Sequence, residues 1–129
     1  MELNIAVLPG DGIGPEVTNE AIKVIDVISK KFAHKINISE GLTGAVAIDK
    51  KGNPYPDETH QICEKSDAVL FGAIGDPKYD NDPSAKVRPE QGLLEMRKKL
   101  GLYANIRPTI VFESLINNSP LKKERIRIK

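Results

Sequence analysis

The feature that most constrains this chain stands at its start. A largely apolar run from Leu3 to Leu8 breaks at Pro9-Gly10, passes through Gly10-Asp11-Gly12-Ile13-Gly14, and resumes at Pro15 with helical spacing. A short apolar run bounded by such a turn reads as a strand buried on both faces, the kind found in parallel sheets. Pro15 suits the first position of a helix, and Glu16 sets a negative charge beside the positive end of the helix dipole. Val17, Ala21, Val24, Ile25, Ile28 and Phe32 then recur at helical intervals and predict one apolar stripe.

The same alternation continues downstream. Lys35 to Glu40 alternates through Ile36 and Ile38, a second strand. Gly41 to Asp49 reads as a short helix packed by Val46 and Ile48, and Lys50 to Pro56 as a loop. Asp57 is placed to cap a helix reaching Lys65, and Asp67 to Ile74 is a third apolar strand. Gly75 to Pro89 lacks periodicity and reads as a long loop, a class often functional. Glu90 to Leu100 reads as a helix closed by Gly101; Tyr103 to Phe112 is broken by Pro108. Strands alternating with helices predict an α/β layer arrangement with a parallel-sheet core and flanking helices.

Composition narrows the function classes. With 129 residues the chain is long enough for a core without staples, and its net charge of +1 offers no field for nucleic acid or an anionic membrane. The basic group Lys122, Lys123, Arg125, Arg127 and Lys129 reads as a solvated end. Cys63 is the only cysteine, which excludes an intrachain disulfide, and its setting is that of a small apolar helix residue. No stretch has the length of a membrane span and no leader pattern opens the chain, so a cytoplasmic protein is expected.

Three stretches could carry chemistry. In the first turn, Gly10 and Gly12 fit a G-x-G-x-x-G dinucleotide fingerprint and Glu40 could supply its acidic partner, but Pro15 occupies the sixth position. The Rossmann fingerprint is therefore rejected. A backbone turn able to approach an anion or cofactor remains, beside the plainer reading of a tight turn with glycines for its own geometry. The second stretch, Gly75-Asp76-Pro77-Lys78-Tyr79, leaves the C-terminal end of a strand, where α/β sheets bind ligands; it carries no calcium-loop pattern. The third holds Arg97 and Arg107 on adjacent segments, suited to bidentate contacts with carboxylates, with the apolar pair Leu93 and Leu94 one helical turn before Arg97, so that Leu93 and Arg97 share a face. Core packing for the leucines and a surface position for Arg97 are the alternatives.

Taken together these residues resemble a known family. Ala6-Val7-Leu8-Pro9-Gly10-Asp11-Gly12-Ile13-Gly14-Pro15-Glu16-Val17 is similar to the opening of the β-decarboxylating dehydrogenases, which act on 3-isopropylmalate, isocitrate, homoisocitrate or tartrate. Val87-Arg88-Pro89-Glu90-Gln91-Gly92-Leu93-Leu94, Met96-Arg97-Lys98-Lys99, and Leu102-Tyr103-Ala104-Asn105-Ile106-Arg107-Pro108 resemble its substrate region, and the likeness extends to Ser119-Pro120-Leu121-Lys122. Within the family Leu93 and Leu94 favour an isopropylmalate-type member, because a branched alkyl group gains from apolar contact where a third carboxylate would lose solvation.

The resemblance implies the family's own fold, not a Rossmann fold, with residues 1–129 as the N-terminal part of its first domain. It implies NAD-dependent oxidation and decarboxylation of 3-isopropylmalate to 4-methyl-2-oxopentanoate, a step of leucine biosynthesis, by a homodimer with Mg or Mn. It assigns Arg97 and Arg107 to the substrate carboxylates, Leu93 and Leu94 to its branch, and Ile13, Gly75, Asp76, Pro77, Lys78, Tyr79 and Glu90 to NAD. Asp76 departs from the pattern, standing where many members have a second glycine. The family's metal aspartates, proton-transferring tyrosine and lysine, and a further substrate arginine fall beyond Lys129. No catalytic residue and no metal ligand is thus expected in these residues, and the chain alone is expected to be inactive. A fragment, a naturally short binding or interaction module, an isocitrate-, homoisocitrate- or tartrate-type member, and an unrelated small nucleotide binder are the readings left open, the string from Arg97 to Arg107 speaking against the last; the ending at Lys129 suggests a cut.

Overall fold

The computed structural model describes residues 1–108, 112–118, 120–122 and 125. The order is β1 (Glu2–Gly10), α1 (Gly14–Lys31), β2 (Lys35–Glu40), α2 (Ala45–Lys51), α3 (Asp57–Glu64), β3 (Ala68–Ala73), α4 (Pro77–Asp80) and α5 (Pro89–Lys99), followed by a 3-10 segment, Glu113–Asn118. The end of the Tyr103–Phe112 stretch and the alternating tail from Arg125 fall largely outside the described residues.

The three strands form a parallel sheet in the order β2-β1-β3. Central β1 is the most buried of the three, and Ala6, Val7 and Leu8 are all buried, as a strand covered on both faces requires. Its alternation sorts the two sides. Ala6 and Leu8 pack with Tyr55, with Cys63 of α3 and with Met96 of α5. Val7 turns the other way and lines a cavity with Thr18 and Ile22 of α1. Burial of Val7 and of Leu8 contributes roughly 1.5–3 kcal/mol each.

Helix α1 begins at Gly14 with Pro15 in its first turn and ends with Lys30 and Lys31 beside its negative pole. Its buried face differs from the predicted stripe. Gly14 and Thr18 are the buried residues, while Val17, Val24, Ile28 and Phe32 are exposed. The reason is close approach: a Cβ on Gly72 of β3 would strike the Pro9 carbonyl and lie 3.0 Å from the Thr18 methyl, so only small side chains fit between helix and sheet. Thr18 satisfies its buried hydroxyl by donating to the Gly14 carbonyl at 2.9 Å.

Two local expectations also change. Pro56, not Asp57, is the N-cap of α3, and the Asp57 carboxylate instead accepts from Lys99 Nζ at 3.4 Å. The stretch after β3 is not wholly irregular: Asp76 caps α4, accepting from the Lys78 amide at 2.9 Å, and Pro77 takes the first helical position. Helix α5 starts at Pro89, one residue before the predicted start, and Gln91 Oε1 accepts from the Arg88 amide at 3.0 Å. Gly101 follows it at φ +66°, the left-handed turn expected of a glycine there.

Candidate functional site

Parallel strands deliver their following loops to one edge of the sheet, the usual place for a ligand in an α/β protein. Here β1 delivers the 10–14 turn and β3 delivers the loop from Ile74 onward. The two are joined by Asp11, which is 6 % exposed. Its backbone N–H donates to the Ala73 carbonyl at 2.8 Å. Its carboxylate accepts from three backbone amides: Ala45 at 2.8 Å, Val46 at 3.0 Å and Gly75 at 3.1 Å. One side chain thus holds the first turn, the start of α2 and the loop after β3 together.

Gly75 is the next link. It adopts φ +127°, a conformation that other residues rarely adopt, and a Cβ there would lie 3.3 Å from Glu90 Oε1. Glu90 is exposed in the first turn of α5. Ile13 stands at the N-cap of α1 with no side-chain bond and is 57 % exposed. Gly12, at φ +56°, has open space above its Cα. Ile13 and Glu90 are thus exposed side chains, and Gly12 offers bare backbone.

The remaining loop residues are anchored elsewhere. Lys78 Nζ donates to Asp49 Oδ1 at 2.7 Å and the Tyr79 hydroxyl donates to the same oxygen at 2.8 Å, so α4 is tied to α2. The Lys78 ammonium also lies 5.2 Å from the centre of the Tyr79 ring. The Lys78 and Tyr79 hydrogen bonds hold the Asp49 carboxyl below its usual range, and Asp49 in turn raises the Lys78 ammonium and the Tyr79 phenol. Asp76, the departure from the family pattern, spends its carboxylate on capping α4.

Helix α5 presents two faces. Pro89, Gly92 and Met96 are buried, and Leu93 packs against the core. Glu90, Leu94 and Arg97 are exposed and fall at spacings of four and three, one outward row. Arg97 lines a groove of about 300 Å³ with Leu102, Tyr103, Ala104, Asn105 and Ile106, and its carbonyl accepts from the Leu102 amide at 2.9 Å. Arg107, exposed, follows directly on that groove. Among the described residues no three His, Cys, Asp or Glu side chains gather as a metal site.

A family model for isocitrate/isopropylmalate dehydrogenases matches residues 4–129. The chain belongs to this family. The sequence resemblance is thereby borne out, and with it the family's parallel-sheet α/β fold.

Among relatives of this dehydrogenase family, a 3-isopropylmalate dehydrogenase of Bacteroides fragilis is 57 % identical over 126 residues, covering 98 % of this chain and 36 % of its own length. One from Aquifex aeolicus is 54 % identical over 123 residues, covering 95 % of this chain and 34 % of its own. The chain therefore spans about a third of the length of these relatives. Among solved structures, the isocitrate dehydrogenase of Methylococcus capsulatus superposes with a TM-score of 0.68 at 31 % identity, over 86 % of this chain and 30 % of that one. A β-decarboxylating dehydrogenase of Thermococcus kodakarensis gives 0.62 at 34 % identity, over 78 % and 27 %.

Sequence reasoning missed Asp11 as a joint, because its partners lie 34 to 64 residues away and leave no local pattern. Its one available signal was an acidic residue inside an otherwise apolar, glycine-rich turn. Glu40, weighed as a ribose partner, is exposed at the end of β2 and lines the Val7 cavity with Lys50.

Proposed function

We propose that these residues form the N-terminal part of the first domain of an NAD-dependent 3-isopropylmalate dehydrogenase. The complete protein, a homodimer, oxidises and decarboxylates 3-isopropylmalate to 4-methyl-2-oxopentanoate in leucine biosynthesis, in the cytoplasm. The observation that carries this reading is the 57 % identity, over 98 % of the chain, to a protein named for that activity.

The geometry supports the assignment of roles. The Arg97 and Arg107 guanidiniums bind substrate carboxylates, for which a planar, permanently charged fork is suited. Leu94 of the outward row, with Leu93 beside it, meets the isopropyl branch. A carboxylate in that place would lose hydration without gaining a partner, which favours isopropylmalate over isocitrate. Ile13, the segment Gly75-Asp76-Pro77-Lys78-Tyr79 and Glu90 line the NAD side. The cofactor, when bound, supplies the hydride acceptor. This chain's part is to hold NAD and substrate in register, since reacting atoms must be oriented at close range before transfer is fast.

Binding and orientation alone do not complete the reaction. The expected Mg or Mn ligands and proton-transfer groups are not assigned to these residues, and general acid–base help and a metal each contribute orders of magnitude. The isolated 129-residue polypeptide is therefore expected to reduce no NAD with 3-isopropylmalate. Turnover by a rigorously purified sample would contradict this. The intact mass of the native gene product tests the larger claim. A mass far above 14.2 kDa supports the dehydrogenase; a mass near it favours a short binding or interaction module.

A further inference from the structure

We propose that Asp11 is the positioning residue of the cofactor loop, acting through the Gly75 amide. The inference rests on the proposed NAD-dependent reading. Asp11 is nearly inaccessible, so a ligand-binding role for its own carboxylate has no room. The carboxylate's hydrogen bonds run inward, from the amides of Ala45, Val46 and Gly75. Space around it is closed as well: a Cβ on Gly44, which sits at φ +79°, would overlap the Asp11 carboxylate. The start of α2 is thus shaped around this one side chain.

The consequence falls on Gly75. Between the end of β3 and the cap of α4, its amide is tied back to Asp11, and its Cα faces Glu90 Oε1. Asp11 therefore fixes the corner at which the loop meets α5. Substrate-side residues Leu94 and Arg97 lie further along α5, which is packed on the core through Met96 and does not depend on this bond. A loss at Asp11 should be felt on the cofactor side first.

Asp11 Oδ2 accepts from both Ala45 and Gly75, and Oδ1 accepts from Val46. An Asn here keeps its amide oxygen on Ala45 and Gly75 and sets its NH2 against Val46 alone, so only removal of both oxygens tests the Gly75 bond. The experiment uses the native gene product and its Asp11→Ala variant. It measures KM for NAD, KM for 3-isopropylmalate, kcat, and hydrogen exchange at residues 44–46 and 75. The expected result is a KM for NAD raised about tenfold to a hundredfold, the range for loss of a hydrogen bond to a charged group. KM for 3-isopropylmalate should stay within about twofold, and exchange at Gly75 should accelerate. Both KM values rising together, or unchanged protection at Gly75, would overturn the proposal. If the unmodified protein does not oxidise 3-isopropylmalate, the functional reading fails by itself. Direct titration with NAD then decides for Asp11: weaker binding by the variant supports it, while equal or absent binding overturns it. If the variant does not fold, exchange in the unmodified protein decides. Gly75 protected well beyond residues 82–87 supports the proposal, and equal exchange rates overturn it.

Discussion

At the scale of single residues, the outward row of α5 carries the proposed substrate contacts. Arg97 and Leu94 are both exposed and neither is needed to close the core, so changes there should act on binding rather than folding. In the complete protein, Arg97→Lys should lower kcat/KM for 3-isopropylmalate by about tenfold to a hundredfold, because an ammonium cannot reproduce a bidentate fork. Leu94→Glu should lower it by roughly 10- to 200-fold, the scale of a mismatched apolar pocket. Steady-state kinetics checks both, with an unchanged unfolding midpoint as the sign that the fold is intact. Burial by contrast governs Tyr55 and Cys63: desolvation raises both the phenol and the thiol, which keeps them neutral parts of the core.

At the scale of elements, α4 and α5 are secured in different ways. Lys78, Tyr79 and Asp49 join α4 to α2 across an exposed surface. Because Asp49 is held below its usual range, its contribution is present above the ordinary aspartate range and is lost as pH falls through its lowered value. Lys78 is raised, so its contribution persists below the ordinary lysine range and is lost only as pH rises past its raised value. The tie should therefore hold across neutral pH and release in acid. Amide exchange over residues 77–81, corrected for intrinsic rate, should accelerate in acid in the native protein and be already fast at neutral pH in Asp49→Asn. Helix α5 is instead fixed through Met96, 5 % exposed against Ala6, Leu8, Tyr55 and Cys63. Met96→Ala should cost about 2–5 kcal/mol in urea unfolding, a far larger effect than any change on the outward row.

The same elements show how much could be read from the sequence. The β1–turn–α1 unit was legible because apolar run, glycine turn and Pro15 agree locally, and Lys35–Glu40 matched its strand residue for residue. The inner face of α1 was not legible. Its apolar residues lie on more than one side, and the choice of Gly14 and Thr18 is made by the close approach of Gly72, a contact between distant positions. Helix α4 carried a readable signal in Asp76-Pro77, hidden by the absence of apolar periodicity in so short a turn. Of the candidate site, helical spacing predicts Leu93 on the face of Arg97, whereas the core takes Leu93 and the exposed row holds Glu90, Leu94 and Arg97; the Asp11–Gly75–Glu90 arrangement depends on three segments meeting.

For the whole molecule, the described residues make a three-stranded parallel sheet with α1 on one face and α3 and α5 on the other, and they belong to a dehydrogenase family whose matched relatives are about three times as long. Exposed Val17, Val24, Val27, Ile28 and Phe32 leave much of α1 apolar and uncovered in this structure. Within the described residues no helix is long and apolar enough to cross a membrane. The proposed cofactor corner and substrate row meet at Glu90, so in the proposed function one helix, α5, relates the position of NAD to the position of the substrate. The most direct test of the account is NADH formation by the native gene product, with Mg present, comparing 3-isopropylmalate with isocitrate. Turnover of 3-isopropylmalate at a kcat/KM at least about a hundredfold above that for isocitrate is the predicted result; equal or reversed preference, or no turnover of either, would contradict it.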